Sequence, residues 1–233
     1  HLLSGCYQQA GNKKKSIQNL EKEVEVNPSH SESLLALADV LMDKKAYEAA
    51  LDKVILSLYY YPDWDLPGKY LDAHGKLGCA VRKTSFRPEL FVEVTPEGAV
   101  LCAGPAGSPW IASYAQCKAV FRYCPEVRMS FGMKAKPYKI SLMEEMACLT
   151  LAAEAYGEMK KDGGVQDAEG QILAAAVEDG WLMEFALFEV IGKHDPDYMK
   201  FLPADLRRSI ISYIEKFVIT GSGMKKECDL FTD

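Results

Sequence analysis

Apolar and small residues recur at helical spacing in two successive runs between Ser31 and Pro62. Two lysines, Lys44 and Lys45, separate the runs, and Pro62 stops the second one because proline cannot continue a helix. The positions that carry the pattern are Leu34, Leu37, Ala38 and Leu41, followed by Tyr47, Ala50, Val54, Ser57 and Leu58. The pattern predicts a helical hairpin over residues 31–62.

The same pattern occurs once more, 34 residues earlier in the chain. This step places Pro28 at the position of Pro62, and Gly11 and Asn12 fall at the turn between the two earlier runs. Because a period of this length is typical of stacked helical hairpins, we predict that the hairpin is a repeated unit.

Period and pattern together resemble a tetratricopeptide repeat. The residues that carry the resemblance are Leu37, Ala38, Leu41, Tyr47, Ala50, Val54, Ser57 and Pro62 in the second copy, and Leu3, Ser4, Tyr7, Gly11, Ser16, Leu20 and Pro28 in the first. Neither copy has the early tryptophan of the family, and Glu23 stands where the family usually has a small residue. The resemblance implies stacked hairpins whose first helices line a hollow surface.

A short helix from about Lys69 to Lys76 is in phase with a third repeat, but Gly75 and Gly78 end it early. Stacked repeats need a terminal unit that covers the last apolar face. We therefore predict tetratricopeptide-like repeats with a cap helix over residues 1–80, where the resemblance ends.

Residues 81–233 predict a mostly helical domain. Two β-type runs, Phe91–Val94 and Ala99–Cys102, flank a proline-then-glycine turn and predict a β-hairpin near residues 90–103. Helices are predicted over residues 110–123, 142–161 and 204–220, and an apolar helical segment over 168–192 with a possible break at Gly180. A loop or weak strand is predicted over 125–139. The expected fold class is mostly α, with helical hairpin repeats followed by a helical domain that carries a small β-hairpin insertion.

Composition excludes some functions. The 233 residues carry a formal net charge of −6, which argues against general nucleic-acid binding because such binding needs a basic surface. No apolar run approaches the roughly 18 residues that a membrane span requires. Seven cysteines are odd in number and never spaced as C-x-x-C, so we expect free thiols in a cytoplasmic protein. His1 falls inside a repeat helix, so we expect a fragment that lacks its natural N-terminus.

The sequence offers no convincing catalytic, cofactor or metal site. The histidines are not placed to activate a cysteine, and residues 104–108 lack the parallel strands that a nucleotide fold needs. Glu144 and Glu145 are adjacent and point differently around a helix, so they do not predict an acid/base pair. We therefore expect no enzyme activity, no cofactor and no metal.

The predicted function is a non-catalytic scaffold or adaptor that binds a protein or peptide segment, of basic or mixed charge, in the repeat groove. The resembling groove positions are Gln8, Gln9, Glu32, Leu35, Asp39, Met42, Asp43, Lys69, Tyr70 and Lys76. Two alternatives stay open. In the first, the C-terminal domain is an enzyme or a small-ligand-binding domain that the repeats recruit. In the second, the apolar stripe of residues 172–191 forms the interface of a homo-oligomer; the same stripe is also typical of a hydrophobic core.

Overall fold

The structure of the protein is a computed structural model. It describes residues 11–62, 65–73, 75–82, 91–95, 100–103, 108–134, 137–164 and 167–221. Over these residues the protein is mostly helical, as predicted, with short antiparallel strand pairs. The chain forms two compact units. The first contains the described residues up to Arg82 and those from Gly192 onward, and the second contains those from Phe91 to Ile191. The division therefore differs from the predicted boundary at residue 80, because the end of the chain returns to the first unit.

Within the described residues, the first unit begins with four helices, and a 3-10 turn (Gly75–Leu77) follows them. The helices are α1 (Lys13–Val26), α2 (Ser31–Asp43), α3 (Tyr47–Tyr60) and α4 (Asp65–Ala73), and strand β1 (Ala80–Val81) comes after the turn. α1 packs on α2, and α2 packs on α3. α4 begins four residues before the predicted start at Lys69. This start is compatible with Pro67, because the first turn of a helix does not use its backbone N–H groups.

Helices α2 and α3 form the hairpin that the sequence predicts. Lys45, in the tight turn, has a φ of 59°. Ala38 and Ala50 are fully buried, and the hydroxyl oxygens of Ser31 and Ser57 lie 2.5 Å apart. The small residues of the pattern thus let the two helices approach closely.

The second unit begins with the predicted β-hairpin strands, β2 (Phe91–Val94) and β3 (Val100–Ala103). They pair antiparallel, with Phe91 opposite Ala103, and the predicted turn between them lies outside the described residues. The helices are α5 (Pro109–Tyr123), α6 (Pro125–Ser130), α7 (Leu142–Lys161), α8 (Ala168–Glu178) and α9 (Leu182–Phe185), which continues as a π-helical segment (Ala186–Ile191). α6 corrects the loop or weak strand predicted there: Pro125 takes the first helical position, where its missing N–H is not needed.

The apolar stripe of residues 172–191 supplies the core of the second unit, next to Trp110 of α5 and Tyr156 of α7. Phe185 is 1% exposed and Phe188 is 0% exposed. These two side chains are therefore buried within their own unit. Three other residues of the same stripe are half-buried, namely Trp181, Leu182 and Met183. Self-association through the stripe stays a prediction.

A disulfide bond joins α5 to α7 through Cys117 and Cys148, whose Cα atoms are 5.2 Å apart. The expectation that all cysteines are free thiols is therefore wrong for this pair. The two residues are 31 positions apart, so no short spacing marks them in the sequence. Among the described residues, Cys79 and Cys124 form no disulfide bond.

The chain completes the first unit with three helices, a π-helical turn (Ile214–Val218) and a strand. The helices are α10 (Gly192–His194), α11 (Pro196–Lys200) and α12 (Ala204–Tyr213), and the strand is β4 (Ile219–Thr220). α11, α12 and the π-helical turn all pack on α3, and β4 pairs antiparallel with β1, Val81 opposite Ile219. The α-helix predicted over residues 204–220 therefore ends at Tyr213 and is followed by the π-helical turn and β4. α4 also packs on α3.

Candidate functional site

One side of α2 carries three exposed carboxylates, those of Glu32, Asp39 and Asp43. Their spacings of seven and four residues place them on the same side of a helix. The opposite side of α2 is buried through Leu34, Leu37 and Ala38, which fixes the orientation of the helix. We call the three carboxylates the acidic face of α2.

Helix α4 contributes Tyr70 to this surface. The pKa of the Tyr70 hydroxyl is raised by burial first, and then by the negative charge of the nearby Asp39 carboxylate. Tyr70 and Asp39, both predicted as site residues, are therefore neighbours, although they lie on different helices. Lys69 precedes Tyr70 and is exposed.

A cleft of about 330 Å³ lies at the N-terminal end of the acidic face. Glu32 belongs to both the cleft and the face. The lining residues are Asn27, Ser29, His30, Ser31, Glu32, Tyr61, Leu66, Pro67 and Lys200. Tyr61 and Leu66 are 41% and 57% exposed, so apolar side chains stand open to solvent at this cleft.

Local hydrogen bonds hold the walls of the cleft in place. The His30 ring accepts a hydrogen bond from the backbone N–H of Ser33 through Nδ1, at 3.2 Å, and thereby caps α2. Two residues before Tyr61, the hydroxyl of buried Tyr59 donates to the carbonyl oxygen of Met199, the residue before Lys200, at 2.7 Å. This bond fixes α11 on α3 and so positions the next residue, Lys200.

Lys200 forms an ion pair with Asp197 on the same short helix, with 2.6 Å between Nζ and Oδ1. The hydrogen bond to Asp197 is the main reason that the pKa of Lys200 is raised. A positive side chain at the cleft is thus already partnered by a carboxylate of its own helix.

The other predicted site residues have mixed outcomes. Met42 is half-buried beside the acidic face, whereas Leu35 is only 6% exposed and belongs to the core. Leu35 can therefore shape the surface but cannot meet a partner directly. Gln8, Gln9 and the side chain of Lys76 lie outside the described residues.

Sequence reasoning missed most of the cleft. The prolines that end α1 and α3 mark two loops, and a repeat places such loops at the same end of neighbouring hairpins. That signal identifies the stretches near Asn27 and Tyr61. No sequence pattern places Lys200 at the cleft, because its position depends on the packing of α11 on α3.

The second unit contains a buried charged cluster that the sequence did not predict. Lys118 of α5 contacts the carboxylates of both Glu144 and Glu145 of α7. Tyr114 and Tyr138 donate hydrogen bonds to Glu145 and Glu144, each at 2.5 Å. Burial, followed by these carboxylates, raises the pKa of Tyr114, and burial and the Glu144 hydrogen bond raise that of Tyr138.

Glu144 and Glu145 point in different directions around α7, but the long Lys118 side chain contacts both carboxylates. The two glutamates therefore belong to one charged cluster, which their positions on the helix did not indicate. Glu144 is 0% exposed, Glu145 1% and Lys118 8%. Such a cluster is closed to solvent and joins α5 to α7. Its position next to the Cys117–Cys148 bond indicates a structural role.

Within the described ranges, no group of three or more histidine, cysteine, aspartate or glutamate side chains is arranged to hold a metal ion. No helix in the same part of the chain combines the length and apolar character needed to cross a membrane. Comparison of the chain with protein-family models, with curated proteins and with solved structures gives no match in any of the three.

Proposed function

We propose that the first unit binds a peptide or protein segment along the acidic face of α2, and that the protein acts as a non-catalytic interaction scaffold. The observation that carries the proposal is the alignment of Glu32, Asp39 and Asp43 on one exposed side of a single helix, starting at a cleft. Basic residues of a partner would complement these charges and give the contact its specificity.

The resemblance to tetratricopeptide repeats supports the same surface. α1, α2 and α3 have 14, 13 and 14 residues, and α2 with α3 forms a hairpin. In a repeat of this class, the first helices line the binding surface, and in this proposal α2 and α4 would take those positions. A stacked array of this kind loses little conformational entropy on binding, because its surface is already ordered.

The buried cluster of the second unit favours a scaffold over an enzyme. Lys118, Glu144 and Glu145 form a grouping of acid and base side chains in that unit, and all three are at most 8% exposed. A substrate would have no access to them without opening the α5–α7 packing.

The proposal is tested by fluorescence anisotropy with a labelled basic probe, Gly-Ser-Phe-Ser-Gly-Ser-Lys-Ser-Lys-Ser-Gly, and an acidic version with both lysines replaced by glutamate. We expect the basic probe to bind more tightly, and Asp39→Lys with Asp43→Lys to weaken its binding at least about ten-fold, since two attractions become repulsions. The binding should also weaken as salt is added.

The matched control is Glu21→Lys with Glu25→Lys, which makes the same charge change at two exposed positions of α1. We expect this control to change the dissociation constant less than about two-fold. Equal losses in the two double variants, or no loss in either, would exclude the acidic face as the binding surface.

A further inference from the structure

The cleft at the N-terminal end of α2 differs chemically from the acidic face that leads to it. Tyr61, Leu66 and Pro67 give it an apolar wall, and the exposed fractions of Tyr61 and Leu66 show that no side chain of the described residues covers them fully. Its volume of about 330 Å³ lies at the lower end of ligand-pocket sizes. This space suits one large apolar side chain better than a folded surface.

The distances along α2 set the spacing of a partner. A helix rises about 1.5 Å per residue, so Asp39 lies about 10 Å beyond Glu32, and Asp43 about 6 Å beyond Asp39. An extended chain advances about 3.3 Å per residue, so two residues of partner cover the step from Asp39 to Asp43. Because side chains of an extended chain alternate, residues two apart also point to the same side.

The cleft extends past Glu32, because Asn27, Ser29 and His30 line it as well. Its centre is therefore a little further from Asp39 than Glu32 is. Four residues of extended chain, about 13 Å, cover this distance and return a side chain to the same side.

We propose that the cleft binds an apolar anchor residue of an extended peptide, whose basic residues four and six positions away contact Asp39 and Asp43. This inference rests on the proposed function and names the class of partner: a linear segment with the pattern apolar-x-x-x-basic-x-basic. Tyr61 and Leu66 contact the anchor, and an aromatic anchor stacks on the Tyr61 ring. Lys200 lines the cleft as well, and its ion pair with Asp197 balances its charge.

The basic probe described above has this spacing, and the test compares it with two altered probes. In one, the phenylalanine is replaced by serine, and in the other it is moved one residue closer to the lysines, which turns it to the opposite side of an extended chain. Each probe is made in both chain directions. We expect about ten-fold weaker binding for both altered probes, in the one direction that fits, because the anchor no longer buries its apolar surface.

On the protein side, Leu66→Ser should weaken binding of the basic probe as much as replacing the phenylalanine of the probe does. The same variant should have little further effect on the affinity for the probe that lacks the phenylalanine. Leu151→Ser is the matched control, because Leu151 is 48% exposed and lies in the second unit. Tyr61→Ser is a second cleft variant, and circular dichroism checks that each variant retains its helical content.

The outcomes separate this inference from the proposed function. If both altered probes bind within about two-fold of the original in both directions while the Asp39/Asp43 reversal still weakens binding, the anchor site is wrong and the acidic face stands. If neither the altered probes nor the Asp39/Asp43 reversal changes the dissociation constant by more than about two-fold, both proposals are wrong.

Discussion

At the scale of single residues, Lys118 and its two glutamate partners show how a buried charge joins two helices. Lys118 lies in an otherwise apolar stretch of α5, and the carboxylates come from the first turn of α7. Three ionisable side chains leave water together, and each loses its hydration. Their mutual contacts and the hydroxyls of Tyr114 and Tyr138 replace that hydration.

Lys118→Met should therefore destabilise the protein strongly, by about 3–5 kcal/mol, because two buried carboxylates would lose their shared cation. The free energy of unfolding is measured by urea denaturation. The triple variant Lys118→Met, Glu144→Gln, Glu145→Gln should recover a large part of the loss, because it removes the uncompensated charges.

Lys161→Met is the control for the loss of a lysine ion pair in the same unit. Lys161 pairs with Glu158 at 2.6 Å, but both side chains are more than 70% exposed. Solvent screens such a pair, so we expect no measurable change in stability. If Lys118→Met is as mild as this control, the cluster does not stabilise the fold.

Ser141 shows which part of a local motif the sequence could predict. Ser141 and Glu144 have the S-x-x-E spacing of a capping box, and the N-cap half of that motif is present: the Ser141 hydroxyl accepts a hydrogen bond from the Glu144 backbone N–H at 3.2 Å. The other half of the capping box, in which the glutamate side chain returns to the cap, competes with Lys118. The Glu144 carboxylate contacts Lys118 and Tyr138, and that preference depends on the tertiary packing.

At the scale of elements, the hairpin α2–α3 followed from its periodicity, whereas the packing of α12 on α3 did not. The Arg207 guanidinium of α12 lies 5.9 Å from the Tyr59 ring centroid and 5.8 Å from that of Tyr60. The Tyr59 hydroxyl binds the Met199 carbonyl on α11. Two adjacent tyrosines at the end of α3 thus hold both C-terminal helices.

We expect Tyr59→Phe to lower the free energy of unfolding by about 1–2 kcal/mol, because the buried Met199 carbonyl loses its donor. Arg207→Ala should lower it by about 1 kcal/mol, through loss of the two ring contacts. Both effects are measured by chemical denaturation, with Arg208→Ala, at an exposed position of the same helix, as the control. An effect of Arg208→Ala equal to that of Arg207→Ala would contradict a specific role for the tyrosine contacts.

At the scale of the whole molecule, the second unit is an insertion between two parts of the first. The first unit is completed only when α11, α12 and β4 pack against α3 and β1, so its two parts are far apart in the sequence. Sequence periodicity predicts a helix and its packing on the next helix along the chain. It does not predict that helices near the end of the chain pack on one near its start.

This organisation predicts that residues 84–191 can be replaced by a flexible linker without unfolding the first unit. We expect that chain to unfold cooperatively by thermal circular dichroism, whereas residues 1–83 alone should melt broadly, because the apolar side of α3 loses its cover. A similar broad melt for both chains would show that the first unit does not fold independently of the second.

The sequence by itself determined the longer helices, the turn of the α2–α3 hairpin, the β-hairpin strands and the acidic side of α2, because these features depend on residues a few positions apart. Only the tertiary structure decided that Leu35 is core, that Cys117 bonds Cys148, and that Lys200 reaches the cleft beside Glu32. Each of these results depends on which helices pack together, and the free energy of that packing comes from buried surface spread over many distant residues.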